Sequence, residues 1–463
     1  MKGEDFEKTQ FIVRTLSHSF YYLCKLNNNI LMNFLKLNLN ELEKKTLRLH
    51  VWYSLIEGFI VGILALNEFV FIKSLKGNNY QLGLLFQFGL ILYVFLIFLN
   101  EILKRFKDKK KLLRYTALFT RLPLILLLFF PRSSQGIVAE PFFHILFLAI
   151  FFVYYAGMPI IYPNINYFLK NAYRNEHFGR LYGYATALNK VVMLIVTLLY
   201  GILLDIDNFA FTYVFPIVAI MGVLSVYLLS MIDFKEEILT STKETFFKSV
   251  KKSFLKMLNI LKNNKPYMHF EVGFMIYGFA FMISVTVITI YFDKALHLNY
   301  SSVAFYKNIY NIIAIALLPF FSKLIDKIDP RKFAIITFSS IMMFILSLAL
   351  TDFFPQNIEI FGIKLYYTMI PYLIFQSIFA ATMSLLWSIG SAYFCQNSEA
   401  GDYQSVHLSL TGLRAVFAPT SGVIIYELFG FFSTFMLAVG ALLIAISLMF
   451  WSYRRDKVFK CVN

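Results

Sequence analysis

Twelve long apolar runs, separated by short charged segments, constrain the fold of this chain more than any other feature. A helix that crosses the hydrocarbon core of a bilayer needs about 20 mostly apolar residues. The first six runs, spans 1 to 6, are 50–72, 80–102, 112–131, 142–168, 180–204 and 209–232. The second six, spans 7 to 12, are 267–292, 300–322, 333–352, 365–394, 404–427 and 430–452. The pattern predicts an all-α polytopic membrane protein with twelve transmembrane helices.

The composition agrees with this prediction. Of the 463 residues, 59% are hydrophobic and only 15% are charged, whereas about 25% of the residues of a soluble domain are charged. So few charges could not cover the surface of a soluble protein of this length. The composition therefore disfavours a soluble multidomain enzyme.

The formal net charge of +16 has two possible explanations, nucleic-acid binding or a topology that keeps basic loops in the cytoplasm. If the N-terminus is cytoplasmic and the spans alternate, 34 of the 43 Lys and Arg residues fall in the termini and inner loops. The outer loops hold five, and four lie within spans. This asymmetry predicts that both termini are cytoplasmic, and it accounts for the basic charge without nucleic acid.

The polar segments outside the spans complete the predicted domain plan. Residues 1–49 form a cytoplasmic segment with a short interfacial helix over 11–26, and residues 454–463 form a cytoplasmic tail. The linker at 233–265 is basic and joins an N-terminal six-helix half, 50–232, to a C-terminal half, 266–453. Its apolar residues recur at helical spacing and its lysines lie on other faces. This pattern favours an amphipathic helix on the cytoplasmic leaflet over an unstructured linker.

Several signatures of other protein classes are missing from the sequence. The three cysteines, Cys24, Cys395 and Cys461, form no CxxC pair, and they predict no disulfide framework or metal site. The dipeptide Gly-Lys does not occur, so the chain lacks the phosphate-binding loop of an ATP-driven pump. No HExxH metalloprotease motif and no TVGYG potassium filter are present. We therefore expect no catalytic residues, no metal and no cofactor.

The two predicted halves carry weak traces of a duplication. With an offset of 222 residues, the charge run 104–110 falls on 326–332. With an offset of 220, "NYQLGLL" at 79–85 falls on "NYSSVAF" at 299–305. The matches keep the same order in both halves. Two parallel copies of six spans are typical of transporters whose substrate site lies where the copies meet.

The charge runs resemble a motif of the major facilitator superfamily. That family carries G-x-x-x-D-[RK]-x-G-[RK]-[RK] after its second helix and often a second copy after its eighth. In the second copy here, Asp326, Lys327, Arg331 and Lys332 match, while Asp329 and Pro330 depart from the pattern. In the first copy Lys104 takes the position of the aspartate and is followed by Arg105.

The resemblance implies that these six residues, Lys104, Arg105, Asp326, Lys327, Arg331 and Lys332, form a gating motif that holds one access state. The alternative is that the charges only anchor two tight inner hairpins outside the lipid. The resemblance does not identify a subfamily.

Ionisable residues within spans are costly and usually face a cavity or a partner. Those predicted here are Glu57, Arg121, Lys190, Glu271, Lys307 and Arg414. In the family that the chain resembles, spans 1, 2, 4, 5, 7, 8, 10 and 11 line the central cavity, and all of these residues except Arg121 fall on lining spans.

Glu57 and Glu271 occupy similar depths in repeat-related helices, and they are candidates for proton coupling or for binding a cationic solute. The alternative for both is a solvated carboxylate near the inner mouth. The basic residues Lys190, Lys307 and Arg414 either bind an anionic group or pair with the two glutamates.

Three amides complete the candidate substrate residues. Gln87 is equivalent to Lys307 under the 220-residue offset, and Asn164 and Asn166 lie on span 4 beside two prolines. Broken helices that line a cavity are common in carriers. His407, near the inner end of span 11, is interpreted as structural rather than as a proton relay.

These features together predict a secondary active transporter of the plasma membrane. It would move a small, polar or charged solute by alternating access, coupled to a proton or ion gradient, as a symporter or antiporter. The expected partners are the solute and the lipid bilayer, with no nucleic acid, and we expect a monomer. A membrane-embedded enzyme and a non-transporting scaffold or sensor are the alternatives.

Overall fold

The computed structural model of the chain describes residues 38–106, 108–233, 245–396 and 399–462. The interfacial helix predicted over 11–26 lies outside these residues. In the described part, ten helices are long and apolar enough to cross a membrane. The last of them, Ala400–Asp456, contains both span 11 and span 12, and span 2 is present as the shorter apolar helix Asn79–Phe95. The polytopic helical architecture is therefore confirmed.

Spans 1 and 2 begin at asparagine caps. The helix of span 1, Glu41–Leu64, begins nine residues before the predicted boundary at residue 50, because Asn40 and Glu43 form a reciprocal capping box. A shorter helix, Asn67–Lys73, follows it. Span 2 begins with a second capping box, between Asn78 and Gln81.

Spans 2, 3 and 4 are interrupted helices. Span 2 comprises Asn79–Ile91, a 3₁₀ turn over Leu92–Phe95, and Leu96–Arg105. Span 3 comprises Lys109–Arg121 and a 3₁₀ segment, Leu122–Phe129, whose second residue is Pro123. A short helix, Ser134–Ala139, precedes the two helices of span 4, Phe142–Ala156 and Met158–Ala172.

The next spans are mostly continuous helices. Spans 5 to 9 are Asn175–Ile206, Phe211–Ser230, Lys265–Lys294, Tyr300–Ile325 and Pro330–Thr351. The linker contains the helix Phe246–Asn263, which agrees with the predicted amphipathic helix. We call it the linker helix below.

A β-hairpin precedes span 10, where the sequence pattern predicts only helix. Strand β1, Asn357–Ile360, pairs antiparallel with strand β2, Ile363–Tyr366. Phe361 and Gly362 form the turn, and both have positive φ angles, 51° and 75°. The prediction that span 10 begins at residue 365 is wrong, because β2 holds this stretch in the hairpin. The helix begins at Met369 and runs to Ile389.

The hairpin is fixed to span 8 by hydrogen bonds. The Asn299 side-chain amide donates to the Gly362 carbonyl at 2.8 Å. The Tyr306 hydroxyl donates to the Lys364 carbonyl at 3.0 Å and accepts from the Tyr366 amide at 3.0 Å. Bonds at strand β2 and at the turn thus make the hairpin a defined part of the fold.

Spans 11 and 12 are formed by Ala400–Ala415 and Ala418–Val462. The second helix changes direction at Gly430, whose φ of 78° and ψ of −178° are not helical. Glycine tolerates this backbone conformation because it has no Cβ. One residue therefore separates the two spans.

The described residues cluster into two compact units. One contains those within Met1–Val70 and Phe106–Thr240, and the other contains those within Phe71–Arg105 and Ser241–Asn463. Span 2 therefore has its contacts with the second unit. The division into two six-span halves, which describes a duplication of the sequence, stays a prediction.

Candidate functional site

A buried carboxylate lies inside the first unit, on span 1. Glu57 is only 4% exposed, and its Oε1 accepts a hydrogen bond from Ser225 Oγ of span 6 at 2.7 Å. Close packing of spans 1 and 5 buries this stretch of helix. A Cβ on Gly58 would lie 2.5 Å from the Asn189 carbonyl oxygen of span 5, so glycine is needed for the approach. Gly58 thus permits the close packing of spans 1 and 5.

Arg121, on span 3, lies in the same buried region as Glu57. Span 3 is not one of the spans that line the cavity in the family that the sequence resembles. Arg121 is 1% exposed, and its guanidinium carbon lies 4.0 Å from the centre of the Tyr154 ring. Arg121 and Glu57 interact electrostatically, but no direct ion pair within 4.0 Å joins them in the described residues. The Nε and Nη1 atoms of Arg121 also have no hydrogen-bond partner there. This group therefore retains unused hydrogen-bond donors.

The second unit contains a tighter buried pair, formed by spans 7 and 11. Nδ1 of His407 lies 3.1 Å from both carboxylate oxygens of Glu271, and each side chain is 2% exposed. Phe274 and Trp387 enclose the imidazole, each with its ring centre 4.8 Å away in an edge-on arrangement. Nε2 of His407 has no hydrogen-bond partner in the described part of the chain.

Arg414 lies two helical turns beyond His407 on the same face of span 11. It is 3% exposed, and its Nη1 donates to the Phe274 carbonyl. A Cβ on Gly278 would lie within 2.3 Å of three guanidinium atoms, so the absence of a side chain there makes room for Arg414. Glu271 interacts electrostatically with Arg414. The cluster Glu271, His407 and Arg414 thus combines an acid, a titratable base and a permanent cation.

The two glutamates differ in their position along their helices. Glu57 is 16 residues beyond the first residue of its helix, Glu41, and Glu271 is six residues beyond Lys265. At about 1.5 Å per residue, these separations are roughly 24 Å and 9 Å. The expectation of similar depths was based on a start of span 1 at residue 50. The capping box at Asn40 places the start of the helix earlier, so the two glutamates are not equally far from their helix starts.

The predicted amides already make internal hydrogen bonds. Gln87 on span 2 donates to the Thr420 hydroxyl at 2.7 Å and to the Val416 carbonyl at 3.0 Å. Asn164 donates to the Ile160 carbonyl of its own helix at 2.7 Å. Asn166 is exposed and accepts from the Tyr182 hydroxyl at 3.4 Å. Asn164 and Asn166 lie in the first unit, and Gln87 lies in the second.

The two remaining lysines lie on spans 5 and 8. Lys190 is exposed on span 5, and its Nζ lies 3.9 Å from the Met193 sulfur. Lys307 is partly buried on span 8. Among the described residues, no group of three or more His, Cys, Asp or Glu side chains could hold a metal ion.

The second motif copy forms an ion network centred on Arg331. This residue is 5% exposed, and it bonds both carboxylate oxygens of Asp329, at 3.0 and 2.9 Å. It also binds Asp456 and the Ser452 carbonyl at the end of span 12. Asp329, a departure from the family pattern, additionally caps the helix of span 9. The central acids here are therefore Asp329 and Asp456.

The other motif candidates make peripheral contacts. Asp326 is exposed and accepts from the Tyr393 hydroxyl at 3.4 Å. Lys327 is exposed, and Nζ of Lys332 lies 4.5 Å from the centre of the Tyr453 ring. In the first copy, the Arg105 guanidinium lies 5.5 Å from the Phe246 ring of the linker helix. The side chain of Lys104 lies outside the described part of the structure.

Sequence reasoning missed His407 and Ser225 as partners of the two glutamates. The spacing of seven residues between His407 and Arg414 was a usable signal, because it places both on one face of a helix. Ser225 carries no comparable signal, since serine is common in packed spans.

Comparisons with known proteins agree with the architecture. The model of the family "Major Facilitator Superfamily" matches residues 53–370, more than half of the chain. No curated protein sequence matches the chain significantly.

Several solved transporter structures resemble the fold. The nucleoside transporter NupG has a TM-score of 0.60 at 14% identity, covering 89% of this chain and 99% of that chain. A D-xylose-proton symporter has a TM-score of 0.59 at 14% identity, covering 87% and 96%. A peptide transporter POT in complex with sulfate has a TM-score of 0.60 at 12% identity, covering 89% and 94%. At such low identity these structures indicate a shared fold, and together with the family match they lead to one conclusion: the chain belongs to the Major Facilitator Superfamily.

Proposed function

We propose that the protein is a secondary active transporter that moves a small polar or charged solute by alternating access, and that a proton gradient drives it. The Glu271–His407 pair is the proposed proton-binding site. The observation that carries this proposal is the 3.1 Å contact between a carboxylate and an imidazole that are both 2% exposed.

The chemistry of the pair suits a reversible proton site. Histidine is the side chain whose ordinary pKa lies closest to neutrality. In the unloaded state, neutral His407 donates from Nδ1 to ionised Glu271, and the carboxylate compensates the charge of Arg414. The incoming proton binds Nε2, the nitrogen that lacks a partner in the described structure.

Coupling follows from the cost of a buried donor. A protonated Nε2 inside the bundle needs an acceptor, because a buried donor without one destabilises its conformation. A conformational change or a solute that supplies this acceptor is therefore favoured when the proton is bound. Differential stabilisation of this kind is what shifts the balance between two access states.

Glu57 is the second candidate for coupling, with a different expected behaviour. Arg121 interacts electrostatically with Glu57, and both side chains are buried. Protonation of Glu57 would leave a buried guanidinium without compensation. We therefore assign Glu57 and Arg121 mainly to a fixed ionic site that holds spans 1, 3 and 6 together.

Reconstituted full-length protein tests the proposal. A ligand is first selected by measuring the melting temperature in the presence of candidate solutes, because binding to the folded state raises its stability. The candidates are nucleosides, pentoses and short peptides, the solutes named for the similar structures. Sealed vesicles then report solute uptake under an imposed pH gradient and solute exchange without a gradient. We expect Glu271→Gln and His407→Gln to lose gradient-driven accumulation and to keep exchange.

Glu359→Gln is the matched control, since Glu359 lies exposed on strand β1 of the hairpin. It should accumulate solute like the wild type. If both cluster variants still accumulate solute against a pH gradient, the proton site is not at this pair. If no gradient of protons or other ions drives uptake in the wild type, the proposal of secondary active transport is wrong.

A further inference from the structure

A lysine-rich cleft lies between the linker helix and the beginning of span 11. Its volume is about 760 Å³. Four lysines of the linker helix line it, Lys248, Lys251, Lys252 and Lys256, together with Glu399 and Tyr403. Four lysines face Glu399 in the cleft and Asp402 beside it, which leaves a surplus of positive charge that favours an anion.

The lysines are arranged in a row. Lys248, Lys252 and Lys256 are each four residues apart, so they lie one above another on the helix. Like charges at this spacing repel and destabilise a helix. Lys256 is compensated by Asp402, with Nζ and Oδ2 2.6 Å apart. An anion in the cleft would lie close to several of these like charges.

The cleft adjoins an exposed apolar face on the same helix. Phe247, Phe254 and Leu258 are spaced at seven and four residues, which places them on one face. They are 78%, 52% and 47% exposed. At 3.6 residues per turn, the lysine row lies about 100–180° around the helix from Phe247. The buried Ser249 faces the protein, so the row lies between the apolar face and the protein body.

We infer that this cleft binds the phosphate-bearing headgroup of an anionic phospholipid. Lysine ammonium groups bind phosphate as point charges, and a basic amphipathic helix beside a spanning helix attracts anionic headgroups. The exposed phenylalanines place the lipid's acyl chains along the apolar face, while the headgroup enters the cleft. A free phosphate compound would use the lysines alone and would leave that face uncovered. The apolar face therefore favours the lipid over a soluble phosphate.

Native mass spectrometry of the full-length protein in detergent tests the site. Phosphatidylglycerol is the probe, phosphatidylcholine is the neutral lipid, and glycerol 3-phosphate and inorganic phosphate are the soluble arms. We expect retention of one phosphatidylglycerol per protein, and a loss of affinity of an order of magnitude or more in a variant with Lys248→Gln, Lys251→Gln and Lys252→Gln. The corresponding triple change to arginine should keep the lipid, because the charge remains.

The control variant removes the same charge outside the cleft, through Lys262→Gln, Lys265→Gln and Lys323→Gln. It should bind phosphatidylglycerol like the wild type. Equal loss in both glutamine variants would show a diffuse charge effect and overturn the site. Equal retention of phosphatidylcholine, or displacement of the lipid by inorganic phosphate at similar concentration, would overturn the assignment to an anionic headgroup.

Discussion

At the scale of single residues, two glycines make room for two buried arginines. The guanidinium of Arg414 occupies the space beside Gly278, and a Cβ on Gly222 would lie 3.2 Å from Cδ of Arg121. In both places a cation is enclosed close to an aromatic ring, with Tyr277 5.8 Å from the Arg414 guanidinium. This packing fixes the position of each guanidinium, so that Arg414 interacts electrostatically with Glu271 and Arg121 with Glu57.

Gly278→Ala should therefore destabilise the protein. The added Cβ would lie 1.9 Å from the Arg414 guanidinium carbon, and the buried arginine would have to leave the Phe274 carbonyl. Overpacking of this kind costs about 1–3 kcal/mol. Thermal unfolding of the purified protein measures the change.

Gly440→Ala is the control for Gly278→Ala, because nothing lies within 4 Å of a Cβ at that position. It should leave the melting temperature unchanged or raise it slightly, since alanine favours a helix more than glycine does. Equal melting temperatures for the two variants would contradict the role of Gly278.

The residue types of the site could be predicted from sequence, but its contacts could not. Glu57, Glu271 and Arg414 were identified because charges within apolar runs are rare and costly. Their partners depend on how helices distant in sequence pack. His407 and Glu271 are 136 positions apart, and no periodicity within one span reports such a contact.

At the scale of elements, the segment between spans 8 and 9 shows how a motif can keep its charge and change its pairing. Arg331 is held by Asp329 and Asp456, while Asp326 makes one long hydrogen bond at its exposed position. The C-terminal end of span 12 is thereby connected to the beginning of span 9. An acid other than the one in the family motif carries the interaction.

Removal of these acids should have unequal effects. Asp456→Asn and Asp329→Asn leave the buried Arg331 with less compensation, and loss of one partner of a buried pair can cost about 3–5 kcal/mol. Asp326→Asn should change stability by less than about 0.5 kcal/mol, as for most exposed substitutions. Thermal unfolding of the three variants decides the order. A melting temperature for Asp326→Asn as low as that for Asp456→Asn would contradict it.

The positions of the spans followed from apolar length, and their interruptions did not. The 3₁₀ turn Leu92–Phe95 lies inside an apolar run, and its four residues include no proline or glycine. The hairpin before span 10 is also difficult to predict from sequence, because each strand has only four residues in which apolar and polar side chains could alternate. Such breaks depend on tertiary contacts, which local patterns do not encode.

At the scale of the whole molecule, the family and the polytopic helical fold were accessible from sequence. The lengths of the apolar runs and the distribution of Lys and Arg give evidence on every span. An error at a single span boundary therefore does not change the predicted fold. The unit boundaries were not accessible, since span 2 makes its contacts with residues far along the chain. The bond between Gln87 and Thr420 is one example.

The charge asymmetry also predicts a topology that labelling can test. In a variant whose three cysteines are replaced by serine, single cysteines at Lys111 and Lys323 should be protected from an impermeant maleimide in intact cells. Cysteines at Arg132 and Glu359 should react, because those segments are predicted to lie outside. Opposite accessibility of Lys111 and Lys323 would contradict the alternating arrangement of the spans.

The hairpin between spans 9 and 10 has a practical consequence for work on this transporter. Its tip residue, Phe361, is fully exposed, while hydrogen bonds to Asn299 and Tyr306 fix the turn and strand β2 below it. It therefore offers a rigid epitope on the face that the loop charges assign to the cell exterior. An antibody fragment raised against the hairpin would bind the protein outside the bilayer. It would add the mass that particle alignment in electron microscopy requires.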